Sequence, residues 1–226
     1  MDLNMPIRLY QMDGFMNNIW FFGASNTTYW NYNLNWVKEY TKWCGHTPKH
    51  FTELLSEQLK LKVVNKAIGA TDNYTIFETI LKNITNIRKG DKIVVDWVSV
   101  LRFRAVEGRK FKTITPNTDH SSVLFFNSNT INEILLNRDS ILFVNEVINW
   151  TKLLKYLFKD DIIFWTDFQE FDNQPFIIPI YKIANNKKIR IIQETDGNID
   201  DYHYGKIGHL ELANKLYSAF TIKSII

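Results

Sequence analysis

The sequence predicts an α/β protein, a three-layer α/β/α sandwich around a parallel five-stranded sheet. Two observations predict it. Short runs that are apolar at every position, Ile19-Trp20-Phe21-Phe22, Ile93-Val94-Val95 and Ile162-Ile163-Phe164-Trp165, have no face to give to water, as strands covered on both sides require. Between them lie longer segments whose apolar residues recur at helical spacing, so strands and helices alternate along the chain. At 226 residues the chain is long enough for one substantial core.

Taken in order, the first strand is residues 19–22. A helix, or a pair of helices, follows from about residue 30 to 59; Thr47-Pro48 reads as an N-cap with proline in the first turn, and Glu53, Leu54, Leu55 and Leu59 continue the pattern. Lys62-Val63-Val64-Asn65 is the second strand. Residues 72–87 form an amphipathic helix, with Ile76, Phe77, Ile80, Leu81 and Ile84 as its apolar positions. Lys89-Gly90-Asp91 turns the chain into a third strand, 92–96. Residues 102–129 are irregular and polar and read as an insertion over the top of the sheet. Residues 130–137 and 140–158 are helical. The fourth strand is 161–166, the stretch 176–183 is ambiguous, and the fifth strand is 188–192. Ile207, Leu210, Leu212, Ala213, Leu216 and Phe220 are the apolar positions of a closing helix, 206–220. No repeat, linker or second domain interrupts the pattern.

Composition narrows the function. Net charge is +3, from 27 basic and 24 acidic residues, too balanced for a nucleic-acid surface. Runs such as Asn185-Asn186-Lys187-Lys188 read as solvated loop. The single cysteine, Cys44, excludes an internal disulfide, fits a reducing compartment and follows no protease pattern. The opening residues lack the basic start and apolar run of a secretory signal, and no stretch has the length of a membrane span. The expected setting is cytoplasmic or virion-associated, with no membrane partner.

In a parallel sheet the site lies beyond the C-terminal strand ends. Gly23-Ala24-Ser25-Asn26-Thr27 follows the first strand, Ala67 to Asn73 the second, and Trp97 to Arg102 the third. Taken alone, Ser25 reads as a capping serine whose own N–H faces outward. Asp200-Asp201-Tyr202-His203 places a carboxylate and an imidazole within reach across one turn, the base half of a serine-hydrolase relay. Asp201 is an alternative orienting acid, but the three-residue offset favours Asp200. His209, in Gly208-His209-Leu210-Glu211-Leu212-Ala213, reads as a structural residue of the closing helix.

These blocks together resemble the GDSL/SGNH hydrolase superfamily. The Gly23–Thr27 segment is similar to its first block, with Ala24 where the family has Asp, and Asp200 to His203 is similar to its last. Asn65-Lys66-Ala67-Ile68-Gly69-Ala70-Thr71-Asp72-Asn73 is similar to the second block, which makes Gly69 the oxyanion glycine, or Ala70 if the alignment slips by one. The third block departs: where the family has Gly-x-Asn, this chain has Asp96-Trp97-Val98-Ser99. Ser99 offers a hydroxyl in place of the missing amide, or the insertion supplies another donor; losing one such donor costs about 3–4 kcal/mol. The resemblance implies a single domain, 1–226, of flavodoxin-like SGNH-hydrolase architecture. It also implies a serine esterase with Ser25 as nucleophile, His203 as base, Asp200 as orienting acid, and the N–H groups of Ser25 and Gly69, with Ser99, as oxyanion donors.

No cofactor or metal is expected, because no Cys/His cluster has zinc spacing and His46 with His50 offers too few ligands. Trp30, Trp36, Trp43 and Trp97 lie near the expected strand ends, as a sugar platform or as core, and Arg102 and Arg104 either meet an acidic sugar or sit in solvent. The expected substrate is a small-molecule or oligosaccharide ester, with an O-acyl group on carbohydrate favoured. The alternative is a weak or inactive module of the same fold that binds glycan or serves a structural role, for example in a phage particle. Ala24 and the absent third-block Asn motivate it. A nucleotide-binding α/β protein fits less well, because no glycine-rich phosphate loop follows the first or second strand.

Overall fold

A computed structural model of the chain describes residues 17–107, 110–114, 140–180 and 188–222. Strands β1 (Asn18–Phe22), β2 (Lys62–Asn65), β3 (Lys92–Trp97), β6 (Ile162–Thr166) and β7 (Ile177–Pro179) form one sheet in the order β2-β1-β3-β6-β7, every pair parallel. The described α-helices are α1 (Asn35–Cys44), α2 (Phe51–Leu59), α3 (Asn73–Asn83), α4 (Ser140–Phe158), α5 (Ile191–Glu194) and α6 (Lys206–Ile222), with short 3-10 turns at Ile84–Asn86, Lys159–Asp161 and Gln169–Phe171. The result is a three-layer α/β/α sandwich with flavodoxin-like strand order. Strand order reverses between β1 and β3, and in such sheets the crevice at that point is where ligands bind.

The apolar strands follow from this layering. Successive side chains of a strand point to opposite faces. Trp20, Phe22, Val95, Trp97 and Phe164 therefore pack on one side, against Ile76 and Ile80 of α3 and Val147 and Leu154 of α4. Ile19, Phe21, Val94, Ile163 and Trp165 pack on the other, against Phe51 and Leu55 of α2 and Leu212, Ala213 and Leu216 of α6. Each such buried side chain contributes roughly 1.5–3 kcal/mol relative to exposure. Asp96 breaks the run on the α2/α6 side, at the C-terminal end of β3, which is where polar chemistry collects in this architecture.

Three expectations are corrected. Residues 188–192 are not a strand of the sheet; the fifth strand is β7, in the stretch whose pattern was ambiguous. The alternating Ile189 and Ile191 instead serve a single antiparallel bridge between Arg190 and Tyr204, with Gly205 N–H donating to Ile189 O at 2.9 Å and Ile191 N–H to His203 O at 3.0 Å. The start of α2 is capped by His50, not Thr47: Thr52 N–H donates to His50 Nδ1 at 3.4 Å, and His50 N–H to the Glu53 carboxylate at 2.8 Å. Pro48 lies outside the helix, where its carbonyl accepts the Trp30 Nε1–H at 2.9 Å. The segment expected to be irregular begins with an antiparallel hairpin, β4 (Phe103–Glu107) and β5 (Lys110–Ile114), while the remainder of that segment and the helix expected at 130–137 lie outside the described residues. None of the described helices is long and apolar enough to cross a membrane.

Candidate active site

At the end of β1 the chain makes one tight turn. Thr27 N–H and Thr28 N–H both donate to Ala24 O, at 2.9 and 3.1 Å, and Thr28 Oγ1 donates to Ser25 O at 2.9 Å. The turn is pinned from below by β3. Asp96 Oδ2 accepts from Thr27 Oγ1 at 2.9 Å and from Ala24 N–H at 3.4 Å. That closeness explains Gly23, where a Cβ would lie 2.4 Å from the Asp96 Cβ. Burial strips Asp96 of water and raises its carboxyl to about 7; Thr27 and Ala24 pull it back, nearby Asp167 pushes it further up, and Arg102 lowers it.

The segment after β2 closes the other side of the turn. Ile68 N–H donates to Gly23 O at 2.9 Å, and Asn65 Nδ2 donates to Thr27 O at 2.7 Å while its Oδ1 accepts Ala67 N–H at 2.9 Å. Gly69 and Ala70, the latter in the left-handed region at φ 52°, follow at the rim. One bidentate pair then steadies the loop after β3: Asn73 Nδ2 donates to Val98 O and Val98 N–H to Asn73 Oδ1, each at 2.8 Å.

Ser25, Gly69, Ala70 and His203 line a single cavity of about 370 Å³. No hydrogen bond joins Ser25 to His203 among the described residues. His203 is held by a carboxylate, but by Asp201, not by Asp200. Asp201 Oδ1 accepts both the His203 N–H and the ring Nδ1–H, each at 2.8 Å, whereas Asp200 is exposed. The reason is local: an Asp side chain that captures the N–H two residues on bends the chain so that both side chains meet. With the proton at Nδ1, the Nε2 lone pair is free to accept another.

Two further histidines line the same cavity. His50 Nε2 lies 3.1 Å from the Asn26 carbonyl, which can only accept, so that nitrogen carries the proton and Nδ1 accepts from Thr52. Burial drives the His50 pKa down to about 3 against a small rise from the Asn26 carbonyl. His209, buried on α6, is also pushed well down by burial and then by the neighbouring His50, His203 and Arg190, and its Nδ1 has no partner among the described residues. Both are neutral near pH 7. His203 alone of the three is part-exposed, its side chain 32% open, and has a carboxylate to hold a protonated ring.

Other expected site residues fall elsewhere. Ser99 is not on the cavity wall; its hydroxyl donates to the Glu170 carboxylate and accepts from Leu101 N–H at 3.2 Å. Of the four tryptophans, Trp30 and Trp36 line the cavity. Trp97 is fully buried core with its Nε1–H on Thr151 Oγ1 at 3.0 Å, and Trp43 is an exposed α1 residue stacked on Tyr40. Arg102 lies 5.9 Å from the Phe168 ring centroid, and the Arg104 side chain is outside the described residues. Sequence reasoning missed His50 and the anchoring role of Asp96, although a carboxylate closing an otherwise apolar strand is a signal. Among the described residues no group of three or more His, Cys, Asp or Glu side chains could hold a metal ion.

No protein-family model matches this chain, and neither does any curated protein.

Proposed function

We propose that this protein is a serine esterase of the SGNH type, acting on an O-acyl group carried by a carbohydrate. The observation that carries the reading is that Ser25, Gly69 and His203, from three separate loops, line one cavity, with His203 held at Nδ1 by Asp201. His203 Nε2 takes the Ser25 Oγ proton as the hydroxyl attacks the ester carbonyl, and Asp201 stabilises the imidazolium. The N–H groups of Ser25 and Gly69 hold the oxyanion. The alcohol leaves with the proton from His203, and a water activated by His203 then releases the acid.

The lining favours a neutral sugar ester. Tyr29 and Trp30 provide aromatic surface and Asn26, Thr28 and Asn31 provide amides and a hydroxyl, with no lysine, arginine or carboxylate on the wall among the described residues. The test is hydrolysis of a short-chain aryl acetate by the wild type and by Ser25→Ala. Loss of turnover in the variant supports the reading, and equal rates remove it.

One observation favours the alternative, a glycan-binding or structural module of the same fold. Ser99 faces Glu170 instead of the cavity, so the third oxyanion donor is not where the resemblance implies it. On that reading acylated glycan binds with unchanged affinity in Ser25→Ala and is released intact.

A further inference from the structure

The Asp201 hydrogen bond fixes one edge of the His203 ring and leaves the ring plane to be set by something else, since the torsion that turns an imidazole is broad. Trp36 sets it. Its indole lies flat on the imidazole, with ring centroids 4.8 Å apart and planes within 7°. The indole is itself braced: Trp30 meets it edge-on at 5.9 Å and 64°, and Trp30 is tied to the Pro48 carbonyl. The brace runs from the loop before α2 to the first turn of α1 and ends on the face of the histidine.

We infer that Trp36 is a positioning residue for His203, holding the ring plane so that Nε2 faces the cavity and stabilising the positive charge the ring acquires. A cation over an indole face is attracted by the ring quadrupole, a neutral imidazole much less so. The contact therefore strengthens as Ser25 gives up its proton and works on the transition state more than on substrate binding. It follows that the indole face covered by His203 is closed to a sugar ring, and Trp36 contributes to kcat where a stacking platform would contribute to KM.

This inference rests on the esterase reading, and the experiment separates the two. Aryl acetate hydrolysis is measured for wild type, Trp36→Leu and Trp36→Phe, and the His203 ring protons are followed by NMR in the same proteins. The expected result is a roughly threefold to thirtyfold loss of kcat in Trp36→Leu, the span of such a contact, with KM within about twofold. Trp36→Phe, which keeps an aromatic face, recovers most of the rate. In the wild type the His203 ring protons are shifted upfield by the indole ring current, and Trp36→Leu abolishes that shift. Ser25-dependent turnover with unchanged kcat in Trp36→Leu, with a rise confined to KM, with no recovery in Trp36→Phe, or with no upfield shift in the wild type overturns this inference alone. No Ser25-dependent turnover in the wild type is the failure of the underlying reading and overturns both.

Discussion

Asp201 Oδ1 holds His203 at two points, accepting the backbone N–H and the ring Nδ1–H at 2.8 Å each. One oxygen thus fixes both the turn and the tautomer. Removing the charge leaves the turn's acceptor but weakens the partner of an imidazolium. Asp201→Asn is expected to lower kcat for aryl acetate hydrolysis by roughly a thousandfold or more, the scale found when an orienting acid is made neutral. Asp200→Asn, altering an exposed side chain, is expected to stay within about threefold of wild type, an exposed change being near neutral. The reverse order of effects would return the role to Asp200.

Asp96 anchors the Ser25 turn at an electrostatic cost. Its carboxyl titrates at about 7 in the fold because burial disfavours the charge, against 3.8 for the ordinary group. The folded state therefore holds this proton longer than the unfolded chain, so the Asp96 contribution to stability is full below about 3.8 and is lost as pH rises through about 7. The loss amounts to about 4 kcal/mol at most. Urea unfolding at pH 5 and pH 8 is expected to show a smaller drop for Asp96→Asn than for wild type. An equal drop in both contradicts the assignment.

The buried histidines work in the opposite direction. His50 titrates at about 3 instead of 6.5, so its contribution to stability is complete above 6.5 and is lost as pH falls through the interval. Between pH 6.5 and 5 this is about 2 kcal/mol from His50, with His209 adding to the same sign. Measured in the Asp96→Asn background, where the competing titration is absent, unfolding free energy is expected to fall by at least that amount over that range. A flat profile there contradicts neutral, buried rings.

Glu194 organises the start of α6. Its carboxylate accepts Ile207 N–H at 2.7 Å, Lys206 N–H at 3.2 Å and the Tyr40 hydroxyl, satisfying donors that a helix N-terminus leaves open. Gly205 leaves room for it, since a Cβ there would lie 2.4 Å from the carboxylate carbon and push the carboxylate aside. Glu194→Ala removes the acceptor of two part-buried helix N–H groups and of the buried Tyr40 hydroxyl and is expected to cost about 1–3 kcal/mol by chemical denaturation, with Glu194→Gln intermediate because it keeps an acceptor.

The sheet was legible because doubly covered strands are apolar at every position, and that pattern has few other meanings. The edge strand β7 was not, because Ile177–Pro179 is too short to show a period and ends in a proline an edge tolerates. Ile189 and Ile191 carried the better strand signal, yet their partner is a loop. The blocks pointed to the Ser25 and His203 loops, which line one cavity, but the three-residue offset favoured Asp200 where the contact comes from Asp201, since the choice depends on which side chain captures the N–H of His203. Nor does sequence separate Trp36 from Trp97. Their fates are set by neighbours: Trp97 by the alternation of β3, Trp36 by its place in the first turn of α1, facing the last loop.

The most direct test is labelling with a serine-directed fluorophosphonate followed by peptide mass spectrometry. An activated Ser25 takes up one probe, and labelling falls away in His203→Gln while the protein stays folded. Labelling absent from Ser25 in the native protein, or unchanged without His203, contradicts a nucleophile and base meeting in this cavity.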